Sequence, residues 1–404
     1  MSVGQRIAFY RQRRGLTQAV LAGMVGRTED WLSKVERGER HARRVDVLAN
    51  LARELHVTLG DLLGQPVLAE DADRNDDVPA IRDALMTPRR LSRVLYRTAR
   101  EREAPPSIAW AELHVDAAWR AFQEGRVGAV IASLPDLITL AQQLEDAVEA
   151  GPRSRESWAV SARTHHLAAT TLSKVGEADL AWIAAERAMN AADQSDDTLV
   201  LASAARACTH ALLATGRYHD ALDLGITATN WLREQAMGGE PEALSLFGML
   251  NLRTAVAAAR NHDRHTAADL IGQADAAAER LGEDANYWRT SFGPTNVALH
   301  RVAVALDLGD IRYVVDHRQI DASRMPIERR VAHMIGVARA LSFARQDTDA
   351  LEYLLSAEQE APTLVRQSTD VRETVKTLRR RSPVAGGQRS SDLLGLAERC
   401  HAVA

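Results

Sequence analysis

The sequence predicts an all-α protein with a small N-terminal domain followed by a larger domain of helical repeats. Apolar residues make up 46% of the chain and aromatic residues only 4%, so the apolar residues are mostly Ala, Leu and Val. This mixture suits closely packed helices better than β-sandwiches, which favour β-branched and aromatic residues. Two patterns support the same fold class: short helical segments separated by glycines at the N-terminus, and helical hairpins that recur along the rest of the chain.

Charge is unevenly distributed along the chain. Residues 1–65 carry eleven basic and seven acidic residues, a net charge of +4, whereas the remaining chain carries 39 basic and 47 acidic residues, a net charge of −8. A basic N-terminal segment on an acidic body indicates contact with nucleic acid. The N-terminus lacks the apolar core of a signal peptide, and we find no run of 18 apolar residues, so we expect a soluble, cytoplasmic protein without a membrane partner.

Caps and glycines divide the first 65 residues into five short helices. We expect the first helix over about 3–14, the fourth over about 44–55 and the fifth over 57–63. Threonines are expected to cap helices two, three and five, and glycines to end helices one, two and three: Thr17, Thr28, Thr58, Gly15, Gly26 and Gly38. Two short helices joined by a tight turn inside such a domain predict a helix-turn-helix architecture.

Two stretches of this domain are specific enough to indicate a family. "GLTQAVLAGMVGRTEDWLSKVERGER" followed by "VLANLARELHVTLGDLL" resembles the phage-repressor-like helix-turn-helix transcriptional regulators of the xenobiotic-response-element family, over residues 4–63. The resemblance implies a five-helix domain whose third helix enters the major groove of DNA. Only three lysines accompany 47 arginines, which is typical of high-GC bacteria and indicates an actinobacterial source.

The resemblance also implies which residues contact DNA. The base-reading positions of the family correspond to Glu29, Asp30 and Lys34, and Gln18 matches a position that contacts phosphate. Arginines after the third helix would bind the phosphate backbone without reading sequence. The complete predicted DNA-binding surface comprises Gln18, Thr28, Glu29, Asp30, Ser33, Lys34, Arg37, Arg40, Arg43 and Arg44.

Two acidic residues in the first turn of the third helix depart from the family pattern. Glu29 or Asp30 could accept a hydrogen bond from the cytosine amino group. Alternatively, both could stabilise the N-terminus of the helix through its dipole, next to the Thr28 cap. Trp31 has two interpretations as well, since it could pack on a neighbouring helix or contact a thymine methyl group.

A connecting region is expected over residues 66–104. "PVLAEDADRNDDVPA" (66–80) is acidic, contains a proline near each end and predicts an exposed linker. "RRLSRVLYRTARERE" (89–103) predicts a helix rich in arginine. It could present a second basic surface to DNA, or be an amphipathic helix with its arginines in solvent and an apolar face made of Leu91, Val94, Leu95 and Thr98.

Residues 105–404 contain six predicted helical hairpins. "RACTHALLATGRYHDALDLGITATNWL" (206–232) carries the pattern G-x-Y-x-x-A and resembles a tetratricopeptide repeat. Looser copies predict the other turns, and the six turns are expected at Gly125, Gly176, Gly216, near Asn261, at Gly309 and near Arg345. Their spacing exceeds the 34 residues of a strict tetratricopeptide repeat, so we expect a helical-hairpin solenoid with longer helices or loops, closed by a final helix near residues 393–402.

Polar residues recur at similar offsets before these turns, on helices otherwise rich in Ala and Leu. In tetratricopeptide folds such positions face the concave wall. They predict either a solvated groove without a ligand or a pocket for a small-molecule or peptide effector. The predicted effector-binding residues are Arg163, His166, Thr170, Arg206, His210, Asn251, Asn296 and His300.

No recognisable catalytic motif occurs in the sequence. We find no phosphate-binding or dinucleotide-binding glycine loop, no H-E-x-x-H and no G-x-S-x-G. The histidines at 165–166 and 262–265 lack cysteine partners and i,i+4 spacing, and Cys208 is expected to be a buried small residue, so we expect no metal, no cofactor and no enzymatic activity.

The sequence therefore supports two hypotheses about function. The first is a transcriptional regulator that binds a double-stranded DNA operator through its N-terminal domain, while the repeat domain forms a homodimer and senses an effector. The second is a protein-interaction adaptor whose N-terminal domain has weak or lost DNA affinity, which Glu29 and Asp30 favour. The architecture is shared with peptide-responsive regulators of Gram-positive bacteria, a functional argument by analogy.

Overall fold

A computed structural model describes residues 3–14, 16–40, 45–55, 78–91, 106–147, 152–382 and 388–400, with the single residues 57, 62, 95 and 402. These ranges contain twenty α-helices, two short 3-10 helices, no β-strand and one isolated bridge between Ala285 and Phe292. The predicted all-α fold class is therefore confirmed. The chain forms two compact units, Met1–Ala69 and Glu70–Ala404, which we call the head and the repeat unit.

Four helices of the head are described. They are α1 (Val3–Arg13), α2 (Gln18–Met24), α3 (Glu29–Glu36) and α4 (Val45–Leu55). The predicted caps are confirmed, because Thr17 accepts a hydrogen bond from the Val20 amide and Thr28 from the Trp31 amide, each at 3.2 Å. Gly26 and Gly38 have φ of +65° and +78°, the left-handed conformation that commonly ends a helix.

The head core consists of the apolar faces of these helices. Ile7, Leu21, Leu32 and Leu51 are fully buried and belong to one apolar cluster. Leu62 is also helical and buried in this cluster. The remainder of the predicted fifth helix, with its Thr58 cap, lies outside the described residues.

The repeat unit begins with a connecting segment and continues as six helical hairpins. The connecting segment contains α5 (Val78–Leu85) and the 3-10 helix Pro88–Arg90. The hairpins are α6 (Ile108–Gln123) with α7 (Val127–Asp146), α8 (Pro152–Lys174) with α9 (Ala178–Ser195), α10 (Thr198–Ala214) with α11 (Tyr218–Met237), α12 (Pro241–Arg260) with α13 (Arg264–Leu281), α14 (Pro294–Asp307) with α15 (Ile311–Asp316), and α16 (Ile327–Phe343) with α17 (Asp347–Glu360).

All six predicted turns are present, and each contains a residue with positive φ. These residues are Gly125, Gly176, Gly216, His262, Gly309 and Arg345, with φ between +60° and +83°. A left-handed residue after the helix C-terminus reverses the chain and favours glycine, which has no Cβ to clash. The two turns without glycine were the two that the sequence located only approximately.

The inner helices of the hairpins form a closed circuit. Each of α6, α8, α10, α12, α14 and α16 contacts the next, and α16 contacts α6. Gly125, in the turn after α6, lies where the last hairpin packs against the first. A Cβ there would lie 3.0 Å from side-chain atoms of Ile327 and Ala361. The predicted open solenoid groove is therefore replaced by an enclosed axis, a difference that follows from long-range packing between the first and the last hairpin.

Three helices follow the sixth hairpin: α18 (Pro362–Gln367), α19 (Thr369–Arg381) and α20 (Gln388–Arg399). Leu393, Leu396 and Cys400 are buried in one cluster with side chains of α16, α17 and α19, so α20 covers the end of the array as expected. Cys208 is buried too, as its apolar surroundings predicted.

The connecting segment differs from its predicted form. Leu91 and Leu95 were expected on the inner face of an amphipathic helix, yet they are 86% and 79% exposed. Arg90 was expected in solvent, yet its side chain is only 19% exposed and pairs with Glu145. The segment docks instead through α5, whose Val78, Ile81 and Leu85 side chains are fully buried. Other residues of the predicted helix over 89–103, including Val94 and Thr98, lie outside the described residues.

One helix of the repeat unit, α7, is long and apolar enough to cross a membrane by length and composition alone. Its apolar residues are buried against α5, α6 and α8. Core helices of globular proteins often have this composition, so α7 is explained by its place in the packing.

Candidate nucleic-acid interface and effector cavity

The exposed face of α3 is the candidate DNA-reading surface. Leu32 and Val35 point into the head core, so the opposite face of the helix is turned to solvent. Thr28, Glu29, Asp30 and Arg37 are exposed, whereas Ser33 and Lys34 are partly exposed. The sequence-predicted positions of this helix therefore share one accessible face, which has the size and shape that a major groove admits.

Asp30 and Lys34 form an ion pair across one turn of α3. The Lys34 Nζ lies 2.8 Å from the Asp30 Oδ2, and the two side chains are 43% and 70% exposed. Such a pair contributes little to stability, so the lysine can exchange Asp30 for a phosphate or a base at small cost. Glu29 and Asp30 also both lie in the first turn, where negative charge is favourable.

A buried network lies beneath the base of α3. Glu36 is 8% exposed, and its carboxylate accepts two hydrogen bonds from Arg11, at 2.6 and 2.8 Å. Gln18, the predicted phosphate contact, donates to the same carboxylate at 2.6 Å. This network was not predicted from the sequence, although an acidic residue four positions after the buried Leu32 was a usable signal.

The residues that follow α3 are only partly described. Arg37 pairs with Glu39, with 3.1 Å between its Nε and the Glu39 Oε1, and Arg40 is exposed. Arg43 and Arg44 lie outside the described residues. Trp31 packs against the head core, with the Arg27 guanidinium 5.5 Å from its ring centroid, in agreement with the packing interpretation.

A narrow cavity of about 20 Å³ lies among the inner helices of the repeat unit. Helices α6, α8, α10, α12 and α16 line it, together with the loop that precedes α14. Four of the predicted effector residues contribute to the lining: His166, Thr170, Arg206 and His210. An adjoining cavity shares Trp119, His166 and Arg289 with the first and is lined by a fifth, Arg163.

Three predicted effector residues line neither cavity. Asn251 and Asn296 are fully buried, and His300 is 4% exposed. The Asn251 amide donates to the Phe247 carbonyl one turn earlier, at 2.9 Å, and the His300 Nδ1 lies 2.9 Å from the Asn296 carbonyl oxygen. The prediction that they line a groove was wrong, because a fixed offset from the turn does not follow the rotation of each helix about its own axis.

Asn296 contributes to the cavity indirectly. Its side-chain amide donates to the carbonyl groups of Thr290 and Ser291, at 3.3 and 2.9 Å. These residues belong to the loop between α13 and α14, where Trp288, Arg289 and Ser291 have φ of +49°, +56° and +48°. Left-handed backbone at residues other than glycine is strained and clusters at ligand sites, so this loop marks the cavity as a candidate binding site.

Four charged residues of the cavity were not predicted from the sequence: Arg253, Arg289, Glu328 and Arg329. Arg253 is the one charged residue in the α12 stretch "NLRTAVAAA" (251–259), which was a usable signal. Glu328 and Arg329 lie at the start of α16, distant from the six predicted hairpin turns, and no offset pattern includes them. Glu328 is 4% exposed, and the Lys174 Nζ lies 2.5 Å from its Oε1.

Burial and like charge dominate the electrostatics of the cavity. Burial, reinforced by the charge of Arg329, lowers the pKa of Arg253 to about 9 and that of Arg206 to about 10. Burial alone would raise the pKa of Glu328, but the charges of Lys174 and Arg329 hold it well below its usual range. Burial also holds the pKa values of His166 and His210 well below normal, so both imidazoles are neutral at pH 7.

A second polar cluster lies on the other side of α8. The Arg90 Nη2 lies 2.9 Å from the Glu145 Oε2, and the Ser161 hydroxyl donates to the same carboxylate. His165, fully buried, is 3.6 Å from that carboxylate. Because His165 and His166 are adjacent, α8 separates this cluster from the cavity.

Similarity to a known family is found in the head. Residues 2–63 match the family model described as a helix-turn-helix domain. No curated protein matches the chain. The matched range contains α1 to α4 and the capped, glycine-terminated α2–α3 pair, so the chain has an N-terminal helix-turn-helix domain of the kind found in DNA-binding regulators.

Proposed function

We propose that this protein is a cytoplasmic transcriptional regulator that binds a DNA operator through its head, with the repeat unit forming a homodimer and sensing an effector. The observation that carries the proposal is the helix-turn-helix match, together with the exposed face of α3. The resemblance to the xenobiotic-response-element family and to tetratricopeptide repeats supports the same assignment. The cavity among the inner helices, with the strained loop beside it, supports an effector site.

The proposed mechanism uses the symmetry of a dimer. Two helix-turn-helix heads read half-sites about one helical turn apart, 34–36 Å. A ligand that binds one conformation of the repeat unit better than another shifts the population toward that conformation. The spacing of the two heads would change with it, and operator affinity would follow.

Removal of two positive charges from α3 tests DNA binding. We expect Lys34→Ala with Arg37→Ala to reduce affinity for the DNA upstream of the protein's own gene about tenfold or more. We also expect a smaller dependence of log K on log salt, by about 0.9 for each phosphate that the variant no longer binds. Both side chains pair with exposed carboxylates, so the head should remain folded. Fluorescence anisotropy at several salt concentrations measures both quantities.

A double variant of the repeat unit is the matched control. Arg126→Ala with Lys376→Ala removes the same two charges from exposed ion pairs and should leave affinity and salt slope unchanged. If the head variant also leaves both unchanged, the proposed recognition surface is wrong.

One observation favours the adaptor as an alternative. In the free head, Lys34 is paired with Asp30 and Gln18 with the buried Glu36, so two of the DNA-contacting positions are already engaged. A gel shift with genomic fragments at low salt separates the two functions. If the protein is an adaptor, we expect no fragment to shift.

A further inference from the structure

Positive charge is in excess around the cavity of the repeat unit. We define the basic cluster as Lys174, Arg206, Arg253 and Arg329, which come from α8, α10, α12 and α16. The carboxylate that faces them is Glu328. Four cations and one anion gathered inside a protein are costly unless another negative charge joins them.

Glu328 is already neutralised. Its Oε1 lies 2.5 Å from the Lys174 Nζ, whereas the Arg329 Nε is 3.9 Å from its Oε2. The lysine lies at hydrogen-bond distance from the carboxylate and the arginine does not, so within the described residues one carboxylate leaves most of the positive charge of the three arginines uncompensated. This distinguishes the basic cluster from the second polar cluster, where Arg90 and Glu145 pair directly.

Several donor groups of the cluster also lack an acceptor. The Nε atoms of Arg206 and Arg329 are buried and make no hydrogen bond within the described part of the chain. One Nη of Arg206 reaches the Trp288 carbonyl only at 3.5 Å. Buried guanidinium groups of native proteins normally have partners, so unsatisfied donors that line a cavity indicate a missing acceptor.

Neighbouring histidines add donors but no charge. Neutral imidazole carries one N–H, and His166 and His210 line the same cavity. The His166 Nδ1 lies 2.9 Å from the Ser203 hydroxyl. The cavity wall thus combines fixed positive charge with neutral donors, the combination by which proteins bind carboxylates and phosphates.

We propose that the basic cluster is the binding site for the oxyanion group, a phosphate or a carboxylate, of a small-molecule effector. The three arginines from three different inner helices would donate to its oxygens, and Glu328 with Lys174 would orient the cluster. The sensing role of this site rests on the proposed function, whereas the binding itself does not.

The size of the cavity limits the ligand. The side chains leave a narrow interior, so the group that enters must be compact. The adjoining cavity, which is lined by Trp119, Tyr287 and Trp288, offers an apolar surface for the remainder of the molecule. The loop that carries the strained residues Trp288, Arg289 and Ser291 contributes to the lining of both cavities.

Binding would also connect elements that are distant in sequence. An oxyanion held by α10, α12 and α16 links the third, fourth and sixth hairpins. Because mutual repulsion of the arginines opposes closure of the array, neutralisation of this charge should stabilise the closed form.

Thermal unfolding of the full chain without DNA tests the proposal. We expect inorganic phosphate or citrate, at constant ionic strength set by sodium chloride, to raise the unfolding midpoint saturably, by about 3 °C or more. A response to phosphate alone or to citrate alone identifies the oxyanion. If neither anion exceeds the chloride control, the proposal is overturned.

Variants of the cluster provide the second arm. Arg253→Gln removes an uncompensated charge, so its midpoint without added anion should equal or exceed that of the wild type, and the anion response should disappear. Arg301→Gln on α14 is the control, because this exposed arginine pairs with Asp275, and it should retain the response. A lower midpoint for Arg253→Gln without anion, or an undiminished anion response, contradicts the proposal.

The experiments distinguish failure of the anion site from failure of the proposed function. Lys34→Ala with Arg37→Ala should retain the anion response, since both residues lie in the head. If the wild type responds to anion but binds no DNA, the anion site is supported and the proposed regulator function is contradicted. If it binds DNA but shows no anion response, the proposed regulator function is supported and the anion site is contradicted.

Discussion

At the residue scale, one carboxylate holds the head together beneath the recognition helix. Glu36 lies in the last turn of α3, where a negative charge is unfavourable to the helix dipole. The bidentate contact with Arg11 and the donation from Gln18 offset this cost. Arg11 also donates to the Leu16 carbonyl at 2.9 Å. The network therefore fixes α1, the start of α2 and the end of α3 relative to one another.

Loss of this carboxylate should unfold the head. Glu36→Ala leaves the Arg11 guanidinium buried without a counter-charge, a change that costs about 3–5 kcal/mol, a large part of the stability of a small domain. Amide hydrogen exchange of peptides from α1 to α3 measures the effect in the full chain.

The control for this substitution is three residues away. Glu39 is exposed and pairs with Arg37, so Glu39→Ala should change the free energy of unfolding by less than about 1 kcal/mol. Equal exchange rates for the two variants would show that the buried pair is dispensable.

Single residues also show what the sequence could and could not predict. Thr28 and Gly38 were correctly assigned because caps and left-handed ends are local features of the chain. Arg253 and Glu328 were missed because they are 75 residues apart and nothing local indicates that they share a cavity. Asn251 was misplaced because the offset from a turn sets only an approximate helix face.

At the scale of elements, the segment that leads from the linker to the hairpins is part of the repeat unit. Helix α5 contacts α7 and α9, and the Gln142 amide donates to the Ala84 carbonyl at 2.8 Å. The Arg82 Nη2 lies 3.6 Å from the Glu177 Oε2. Arg90, five residues after α5, reaches the cluster with Glu145 and His165. Apolar burial and polar contacts thus anchor the segment at several points.

We expect α5 to detach when its apolar face is truncated. Ile81→Ala with Leu85→Ala removes two fully buried side chains, at a cost of about 2–5 kcal/mol each. That exceeds what the remaining contacts of an eight-residue helix can supply, so amide exchange over 78–91 should accelerate strongly. Hydrogen exchange with mass spectrometry resolves this segment from the hairpins.

Met86→Ala is the control, because Met86 is 60% exposed at the end of the same segment. It should leave the exchange rates unchanged. Slow exchange in the double variant would mean that the polar contacts alone suffice to dock α5.

The elements were better predicted than their arrangement. All six turns were located from glycines and hairpin patterns, since each turn depends on a few adjacent residues. Closure of α16 on α6 was not predicted, because it depends on the cumulative rotation of five successive hairpins. The amphipathic interpretation of Leu91 and Leu95 failed for a similar reason, as periodicity cannot show whether a partner surface exists.

At the scale of the whole molecule, the repeat unit buries several histidines. His165, His166 and His300 are nearly inaccessible, and burial lowers the pKa of each. His165 faces Glu145 on α7, Arg90 on the connecting segment and Arg187 on α9, and its pKa falls to about 4. The unfolded chain can therefore bind protons that the folded protein cannot, so acid favours unfolding.

The stability of the repeat unit should therefore fall as the pH falls from about 7 toward 4. Between the ordinary histidine pKa of 6.5 and the value of about 4 for His165, the unfolded state binds a proton that the folded state does not. Linkage then lowers the free energy of unfolding by about 1 kcal/mol between pH 7.5 and 5.5 from His165 alone, and the other buried histidines act in the same direction. Below pH 4.5 Glu145, with a pKa of about 2, adds a further loss.

Urea unfolding followed by tryptophan fluorescence measures this dependence in the full chain, because six of the seven tryptophans belong to the repeat unit: Trp110, Trp119, Trp158, Trp182, Trp231 and Trp288. Zwitterionic buffers are required, since phosphate is itself a proposed ligand. His165→Gln should reduce the difference between pH 7.5 and 5.5. His265→Gln should not, because that side chain is 89% exposed. A free energy of unfolding that is equal at the two pH values would show that the buried histidines take up protons without unfolding, and that the interior of the repeat unit is open to water.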